Sequence, residues 1–275
     1  MNTKLDKSNV QDILALNETQ KGMLSECYKG NYRLNTVQLV FQINGGFDWG
    51  LFREAGMLVV SENDALRSVF RWEKLSKPVQ IILKEKQLQF KYVDVSDGNK
   101  ESELSSIIKK DQETPFDLTE SAFRLMVVKV AKDLHHVMVS HHHIIYDGWS
   151  TGILLKEVFA KYNALRKEQP IASNVKPTLK QINQDLVRTA INWEEKQSYW
   201  KRYLKDIDLN LLFESVGESK NTTGQDTISR LTKKAPIEKL EKYCLNNNVT
   251  KASVLYAAYG ILLQKYLGEI EGTRL

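Results

Sequence analysis

The apolar positions of this chain recur with two different spacings, which predict alternating strands and helices. A period of two from Val37 to Ile43 indicates a strand. A helical period follows Asp48, a candidate helix N-cap, and places four apolar residues on one face: Leu51, Phe52, Ala55 and Val59. Asn17 to Gln20 predicts a capping box that opens an earlier helix.

The clearest local prediction is a β-hairpin. Phe123 to Val130 and Leu134 to Ser140 are rich in strand-forming residues, and only Ala131 to Asp133 separates them. Two further strands are predicted at 78–83 and 88–95, and a helical face follows at Leu104, Ile107 and Ile108. This alternation of strands and helices predicts an α/β fold.

The pattern changes beyond residue 170. Arg166 to Pro177 holds two of the five prolines and no periodic apolar pattern, so we interpret it as a linker between domains 1–170 and 171–275. Beyond it we predict a loop at 215–226 and a strand at 228–233. Two helices are also predicted there. One has an aromatic packing face that includes Trp193, Tyr199, Trp200 and Tyr203. The other, Thr250 to Leu267, is strongly apolar, and we expect it to leave an exposed apolar patch or a self-association surface.

The composition excludes several classes of protein. With 275 residues, 42% hydrophobic and 27% charged, the chain suits a folded globular protein of two modest domains. It lacks a signal peptide and any bilayer-length apolar run, and Cys27 and Cys244 form no CxxC pair. We therefore expect a cytoplasmic protein without a membrane anchor. The net charge of +5 is spread along the chain, which disfavours nucleic-acid binding but favours an acidic partner protein.

All five histidines lie between His135 and His143. Strand alternation predicts that His135, His141 and His143 share one face, while His136 and His142 share the other. His143 is followed by Asp147 and Gly148, so it could point into a cleft before a tight turn into a helix. We predict that Ser150 caps that helix, and that Gly148 permits an unusual dihedral or a close ligand approach.

A histidine at this position suits acyl transfer. Imidazole exchanges protons near neutral pH, and amide formation needs an unprotonated amine and a stabilised tetrahedral intermediate. The sequence has no Gly-x-Ser-x-Gly elbow that would supply an acyl-enzyme nucleophile. A metal site is disfavoured because carboxylate or cysteine ligands at metal spacing are missing. The plainer alternative is that His143 is a buried, hydrogen-bonded strand-end residue.

The motif resembles the signature of the condensation domains of nonribosomal peptide synthetases. That resemblance rests on His142-His143-Ile144-Ile145-Tyr146-Asp147-Gly148-Trp149-Ser150. Further stretches resemble family motifs in the same order along the chain: Leu16 to Leu24, Asp64 to Phe70, Pro115 to Leu118 with Phe123 to Leu125, and Tyr199-Trp200 with Thr250 to Gly268. The short motif alone is less specific, because chloramphenicol acetyltransferase shares it.

The resemblance implies a particular architecture. Two lobes, each similar to chloramphenicol acetyltransferase, would meet at a V-shaped cleft with the site midway along a tunnel. This chain would supply the N-terminal lobe, a mixed sheet flanked by helices, in residues 1–170. Residues 171–275 would hold the linker and a truncated start of the C-terminal lobe, because the later family motifs are absent. We therefore interpret the chain as a piece of a longer synthetase or a truncated gene product.

The resemblance also implies roles for individual residues. His143 would be the main catalytic histidine, supported by His142. Asp147 would pair with Arg67 to shape the loop, and Gly148 would present a backbone N–H near the reacting carbonyl.

Trp149 and Ser150 are candidates for lining the tunnel, although packing is the simpler interpretation of Trp149. No metal or covalently bound cofactor is expected. Donor and acceptor carrier proteins would deliver their substrates on phosphopantetheine arms, beside an adenylation domain of the same synthetase.

The implied reaction is amide-bond formation between carrier-bound thioesters. Three alternatives stay open at this point. The same scaffold could perform fatty-acyl initiation, epimerisation or ester formation. The chain could also be a CoA-dependent acyltransferase, or a non-catalytic fragment that docks carrier proteins.

Overall fold

The chain divides into two compact units, 1–189 and 190–275. The structure, a computed structural model, describes residues 5–30, 33–171, 176–189, 193–205 and 234–267. The predicted loop at 215–226 and the predicted strand at 228–233 lie outside the described residues.

The first unit contains the α/β part of the fold. Its described strands are β1 (Val10–Ala15), β2 (Thr36–Asn44), β3 (Ser68–Arg71), β4 (Val79–Leu83), β5 (Phe90–Asp94), β6 (Phe123–Ala131) and β7 (Leu134–His142). Its described helices are α1 (Glu18–Tyr28), α2 (Trp49–Glu62), α3 (Lys100–Glu113), α4 (Gly148–Arg166) and α5 (Leu179–Thr189). The first unit reaches residue 189 because α5 contacts β1, where Lys180 Nζ lies 2.7 Å from Asp12 Oδ1.

The strands form two sheets. The larger has the order β2-β7-β6-β5, with β5 parallel to β6 and the other pairs antiparallel. The smaller is antiparallel, with the order β1-β4-β3. The predicted hairpin is therefore the centre of the larger sheet, and the predicted mixed sheet flanked by helices is confirmed.

The two faces of β7 pack against different helices. Val137 and Val139 join a core with residues of α2 and α4, including Phe52 and Val158. Met138 points the other way, into a smaller core that includes the apolar face of α3. Because successive side chains of a strand alternate between faces, a strand buried on both sides is rich in apolar residues throughout. The last strand before the histidine motif is thus held between two layers of helices.

Asp111 is a buried carboxylate on α3 that fastens three strands of the larger sheet. Its Oδ1 accepts a hydrogen bond from Arg124 Nε of β6 at 3.0 Å. Its Oδ2 accepts from Gln38 Nε2 of β2 at 2.8 Å and from Ser140 Oγ of β7 at 2.5 Å. A buried charge needs such partners to offset its lost hydration. Ser140 directly precedes the histidines, so this cluster also holds the strand that carries the site.

Local capping explains where the helices of the first unit begin. Asn17 and Gln20 form the predicted capping box of α1. Asp48 caps α2 by accepting a hydrogen bond from Leu51 N at 3.0 Å, as predicted. Both predicted caps are confirmed. A cap can be predicted from the sequence because it depends only on residues within one turn.

The described part of the second unit consists of helices: α6 (Trp193–Tyr203), α7 (Lys234–Asn247) and α8 (Lys251–Leu267). On α6 the rings of Tyr199 and Tyr203 stack on each other with centroids 5.8 Å apart, yet both remain about half exposed. The predicted aromatic face therefore packs mainly against itself in the described residues. Among the described helices, none combines the length and the hydropathy needed to cross a membrane.

Helix α8 carries the exposed apolar patch that its sequence predicts. Tyr256 is 75% exposed, and Leu255, Tyr259 and Leu262 are each 59% exposed. Apolar side chains clustered on one helix favour association with another apolar surface. We expect the 275-residue chain to self-associate as its concentration rises, which sedimentation velocity over a dilution series would measure. Tyr256→Glu should weaken the association, whereas the exposed polar control Asn246→Glu should not. Equal behaviour of the two variants would place the association elsewhere.

Candidate active site

Backbone hydrogen bonds hold the histidine motif at the end of β7. The His142 N–H donates to the Ala122 carbonyl at 2.9 Å, and the His143 N–H donates to the Asn35 carbonyl at 2.8 Å. Asn35 has a φ of 67°, in the left-handed region that asparagine tolerates better than most residues. The motif is thus held from both neighbouring strands, and His143 is the first residue beyond β7.

The His143 ring is partly exposed, and its Nδ1 lies 3.3 Å from the Tyr146 carbonyl oxygen. A carbonyl can only accept, so this contact favours the neutral tautomer that carries its proton on Nδ1. The lone pair of that tautomer is on Nε2. Within the part of the chain that the structure describes, no other hydrogen bond to this ring is present. The arrangement suits a base that takes a proton at Nε2.

His142 is oriented differently from His143. Its ring is buried, and Nδ1 accepts a hydrogen bond from the Ile144 backbone N–H at 3.1 Å. That bond shapes the turn after β7 and occupies the lone pair on Nδ1. His142 therefore helps to hold the turn that follows His143, and its supporting role in catalysis stays a prediction.

His141 and His142 have the largest pKa shifts of the buried histidines, and they make the folded state sensitive to acid. Burial, with a further contribution from the neighbouring His143, lowers the pKa of His141 and of His142 from 6.5 to about 4. As the pH falls from about 6.5 to about 4, the unfolded chain binds protons that the folded chain does not. The free energy of unfolding therefore decreases across this window, by up to roughly 3 kcal/mol for each histidine.

Urea denaturation at pH 7 and pH 4.5 would measure this loss. His141→Phe removes one of the two histidines with the largest pKa shifts and should reduce the loss between the two pH values. Burial also lowers the pKa of His136, so His136→Phe should reduce the loss as well, but by less than His141→Phe does. Identical pH dependence of the wild type and His141→Phe would contradict the assignment.

Asp147 caps α4 instead of pairing with Arg67. Its Oδ1 accepts from Ser150 N at 2.9 Å and from Ser150 Oγ at 2.7 Å, which lowers the pKa of this exposed carboxyl. The prediction that Ser150 is the cap is therefore wrong, because the acidic side chain one turn earlier satisfies the free N–H group of Ser150.

The predicted Arg67–Asp147 pair is also wrong. Arg67 is buried, and its Nη2 donates to Asp64 Oδ1 at 2.6 Å. Its Nη1 donates to Gln11 Oε1 at 2.7 Å and also to the Leu83 carbonyl. Asp64 lies only three residues away, so it reaches the guanidinium without closing a long loop. Arg67 therefore stabilises the smaller sheet and its connection to the preceding helix.

Gly148 and Trp149 begin α4. Gly148 has no positive φ, so the predicted unusual dihedral is absent, and apart from its chain neighbours and its own helix backbone no atom lies within 4 Å of the position a Cβ would take. This leaves room for a close approach to its backbone N–H, one of the free donors of a helix N-terminus. Trp149 is 87% exposed, so the packing interpretation is wrong for this residue. Ser150 is half-buried beside it.

Sequence reasoning missed two residues that contact the motif. Gln20 Nε2 donates to the Ile144 carbonyl at 3.1 Å and to Gln80 Oε1 at 3.0 Å. Tyr146 supplies the carbonyl that faces His143 and stacks its ring on His141. The capping box gave a partial signal for Gln20, but nothing in the sequence pattern placed Tyr146 against a histidine.

The remaining features of the described residues give no evidence for a catalytic site away from His143. No group of three or more metal-ligating side chains comes together in the described ranges. A cavity of about 500 Å³ lies between α3 and the β5–β6 edge, and its lining does not include the histidine motif. The site is instead an open position at the end of β7.

A family model described as "Condensation domain" matches residues 10–271. The chain belongs to the condensation-domain family. Among relatives, it is 29% identical to gramicidin S synthase 2 of Brevibacillus brevis, over 94% of this chain and 6% of the relative. It is 28% identical to tyrocidine synthase 2 of Brevibacillus parabrevis, over 94% of this chain and 7% of the relative. This condensation domain therefore spans a small part of the length of these synthetases.

Solved structures share the fold of this condensation domain. The first condensation domain of the calcium-dependent antibiotic synthetase, in complex with substrate analogue 3a, matches with a TM-score of 0.70 at 17% identity. That match covers 94% of this chain and 62% of the solved chain. The starter condensation domain of rhizomide synthetase matches with a TM-score of 0.65 at 20% identity, over 72% and 49%. The resemblance to synthetase condensation domains and the predicted acetyltransferase-like α/β fold are confirmed.

Proposed function

We propose that this condensation domain joins a donor acyl or peptidyl thioester to an acceptor aminoacyl thioester through an amide bond. The acceptor amine attacks the donor carbonyl, so that a C–N bond forms and the donor C–S bond breaks. The amine proton passes to His143 Nε2 and then to the departing thiolate. Atoms and charge therefore balance in this sequence of steps.

The observation that carries this proposal is the position of the His143 ring. It is partly exposed at the strand end, and Nδ1 faces the Tyr146 carbonyl at 3.3 Å. This contact directs the basic lone pair to Nε2, where a substrate amine can approach.

The start of α4 offers the second element that acyl transfer requires. As the donor carbonyl becomes tetrahedral, its oxygen gains negative charge and needs nearby hydrogen-bond donors. The free N–H groups at the N-terminus of α4 carry partial positive charge, and the open space beside Gly148 allows a substrate to reach them. We propose that the Gly148 N–H stabilises this oxyanion, and that Trp149 and Ser150 line the approach.

The partners follow from the same chemistry. We propose that two carrier proteins present the donor and the acceptor on phosphopantetheine arms, and that an adenylation domain of the same synthetase loads the acceptor. The thiol of the donor arm is the leaving group, so phosphopantetheine acts as part of the substrate.

A loading assay tests the proposal directly. The chain is mixed with a donor carrier and an acceptor carrier bearing isotopically distinct aminoacyl groups, and the acceptor carrier is analysed by mass spectrometry. We expect a dipeptidyl group on the acceptor carrier and a free thiol on the donor carrier. Product from free acyl-CoA and free amine would instead indicate a CoA-dependent acyltransferase. Binding of both carriers without product would indicate a docking module, and either result would overturn the proposal.

A further inference from the structure

A third histidine, His141, lies directly behind His143. Its side chain is completely buried, and its ring stacks on Tyr146 with centroids 4.1 Å apart and planes 26° apart. The same ring meets the His143 ring edge to face, with centroids 5.4 Å apart and planes at 89°. His141 therefore touches both the proposed base and the residue whose carbonyl faces that base.

The contacts of His141 are made by the faces and edges of its ring. Neither Nδ1 nor Nε2 of His141 has a hydrogen-bond partner among the described residues. A buried polar group usually finds a partner, because leaving it unsatisfied is costly. Burial lowers the pKa of His141 to about 4, so the ring is neutral near pH 7 and can stack as an uncharged aromatic. The buried position of His141 is therefore better explained by the aromatic stacking of its ring than by hydrogen bonds from its nitrogens.

The three residues form a closed arrangement. His141 stacks on Tyr146, the Tyr146 carbonyl faces His143 Nδ1 at 3.3 Å, and the His143 ring rests on His141. The stacked Tyr146 ring restrains the backbone of this residue, which lies between β7 and α4, and so helps to hold its carbonyl in place. The orientation and the tautomer of His143 thus depend on the packing of the His141 ring.

We propose that His141 is a positioning residue that, stacked on Tyr146, holds the His143 imidazole with its proton on Nδ1 and its lone pair on Nε2. The inference rests on the proposed function of His143 as a base. It adds to that function a residue which never touches the substrate. An aromatic ring at position 141 is the requirement, and the two nitrogens of that ring are dispensable.

Nuclear magnetic resonance of the 275-residue chain, labelled with ¹⁵N in its histidines, tests the proposal without relying on turnover. The chain has only five histidines, so single replacements assign each imidazole. We expect the Nδ1–H tautomer of His143 to dominate near neutral pH in the wild type and in His141→Phe. His141→Ala and Tyr146→Leu should each give a mixture of tautomers. His136→Phe and His136→Ala are the matched controls on the other face of β7, and both should leave His143 unchanged.

The loading assay supplies a second readout. We expect His141→Ala to lower kcat about 10- to 100-fold with little change in KM, because small misplacements of a catalytic group have effects of this size. His141→Phe should retain wild-type kcat within a few-fold and should unfold at the same or a higher temperature.

Two results would overturn the proposal: an unchanged His143 tautomer in His141→Ala, or equal tautomer loss in His141→Phe and His141→Ala. Should the tautomer respond as expected while no variant makes amide, the positioning role would stand and the proposed function would fail. A variant that does not fold is recognised by its thermal transition, and the Tyr146→Leu variant then tests the same contact from the other side.

Discussion

Replacing His143 with alanine should lower the rate of amide formation on loaded carriers by about 100- to 10,000-fold, the usual contribution of a general base. The variant loses the lone pair that would take the amine proton, while the backbone bond from His143 N to Asn35 O can remain. We therefore expect kcat to fall and KM to stay within a few-fold, measured by product mass over a range of acceptor-carrier concentrations.

The matched control for this variant is His136→Ala, which removes a histidine from the same strand on its other face. It should keep near-wild-type turnover. Normal product formation by His143→Ala would refute the proposed role, whatever the fold of the chain.

Replacing Asp111 with alanine should reduce the free energy of unfolding by about 3–5 kcal/mol, the usual effect of removing one partner of a buried ion pair. The change leaves Arg124 without its carboxylate, and it also removes acceptors for Gln38 and Ser140. Urea denaturation followed by circular dichroism would measure the loss.

Two further variants serve as comparisons for the stability loss of Asp111→Ala. Glu113→Ala removes an acidic residue from the same helix, but its ion pair with Lys109 is 4.0 Å long and exposed, so we expect a change below about 1 kcal/mol. Adding Arg124→Met to Asp111→Ala should restore part of the lost stability, since an apolar side chain leaves no unpaired charge. A loss for Asp111→Ala as small as that for Glu113→Ala would contradict the central role of this cluster.

Much of the fold could be predicted because it depends on short stretches of chain. The caps at Asn17 and Asp48 satisfy donors within one turn, and the hairpin of β6 and β7 needs only a short connection. Alternation along β7 also brought His141 and His143 to the same face. What could not be predicted from the pattern is the parallel pairing of β5 with β6, since strands carry no local sign of their direction.

The site was less predictable where residues compete for partners. Arg67 and Asp147 each contact a partner three positions away in the sequence. Arg67 pairs with Asp64, and Asp147 accepts a hydrogen bond from Ser150. Motif resemblance alone gives no ranking of these contacts, whereas sequence separation favours the local ones.

The position of Asp111 in the sequence indicates that its carboxylate is buried and needs a partner. Asp111 continues the spacing of Leu104, Ile107 and Ile108 on the apolar face of α3, so a charged residue falls at a position expected to be buried. Such a residue must have a charged or hydrogen-bonded partner. The identity of the three strands that supply those partners depends on the tertiary fold, and no local pattern contains it.

The register of β2 with β7 has a consequence for how this domain is synthesised. Thr36 pairs with His142, so strands about a hundred residues apart in the chain must meet before the catalytic end of the sheet exists. On the ribosome β2 is synthesised first. The backbone N–H and C=O groups that pair with β7 lack these partners until β7 has been made. Strand pairs so far apart in the sequence form slowly, and until they form their unpaired edges can associate with other chains. We expect the histidine motif to be among the last parts of the lobe to become protected from hydrogen exchange during refolding, and premature termination before β7 to leave an aggregation-prone chain.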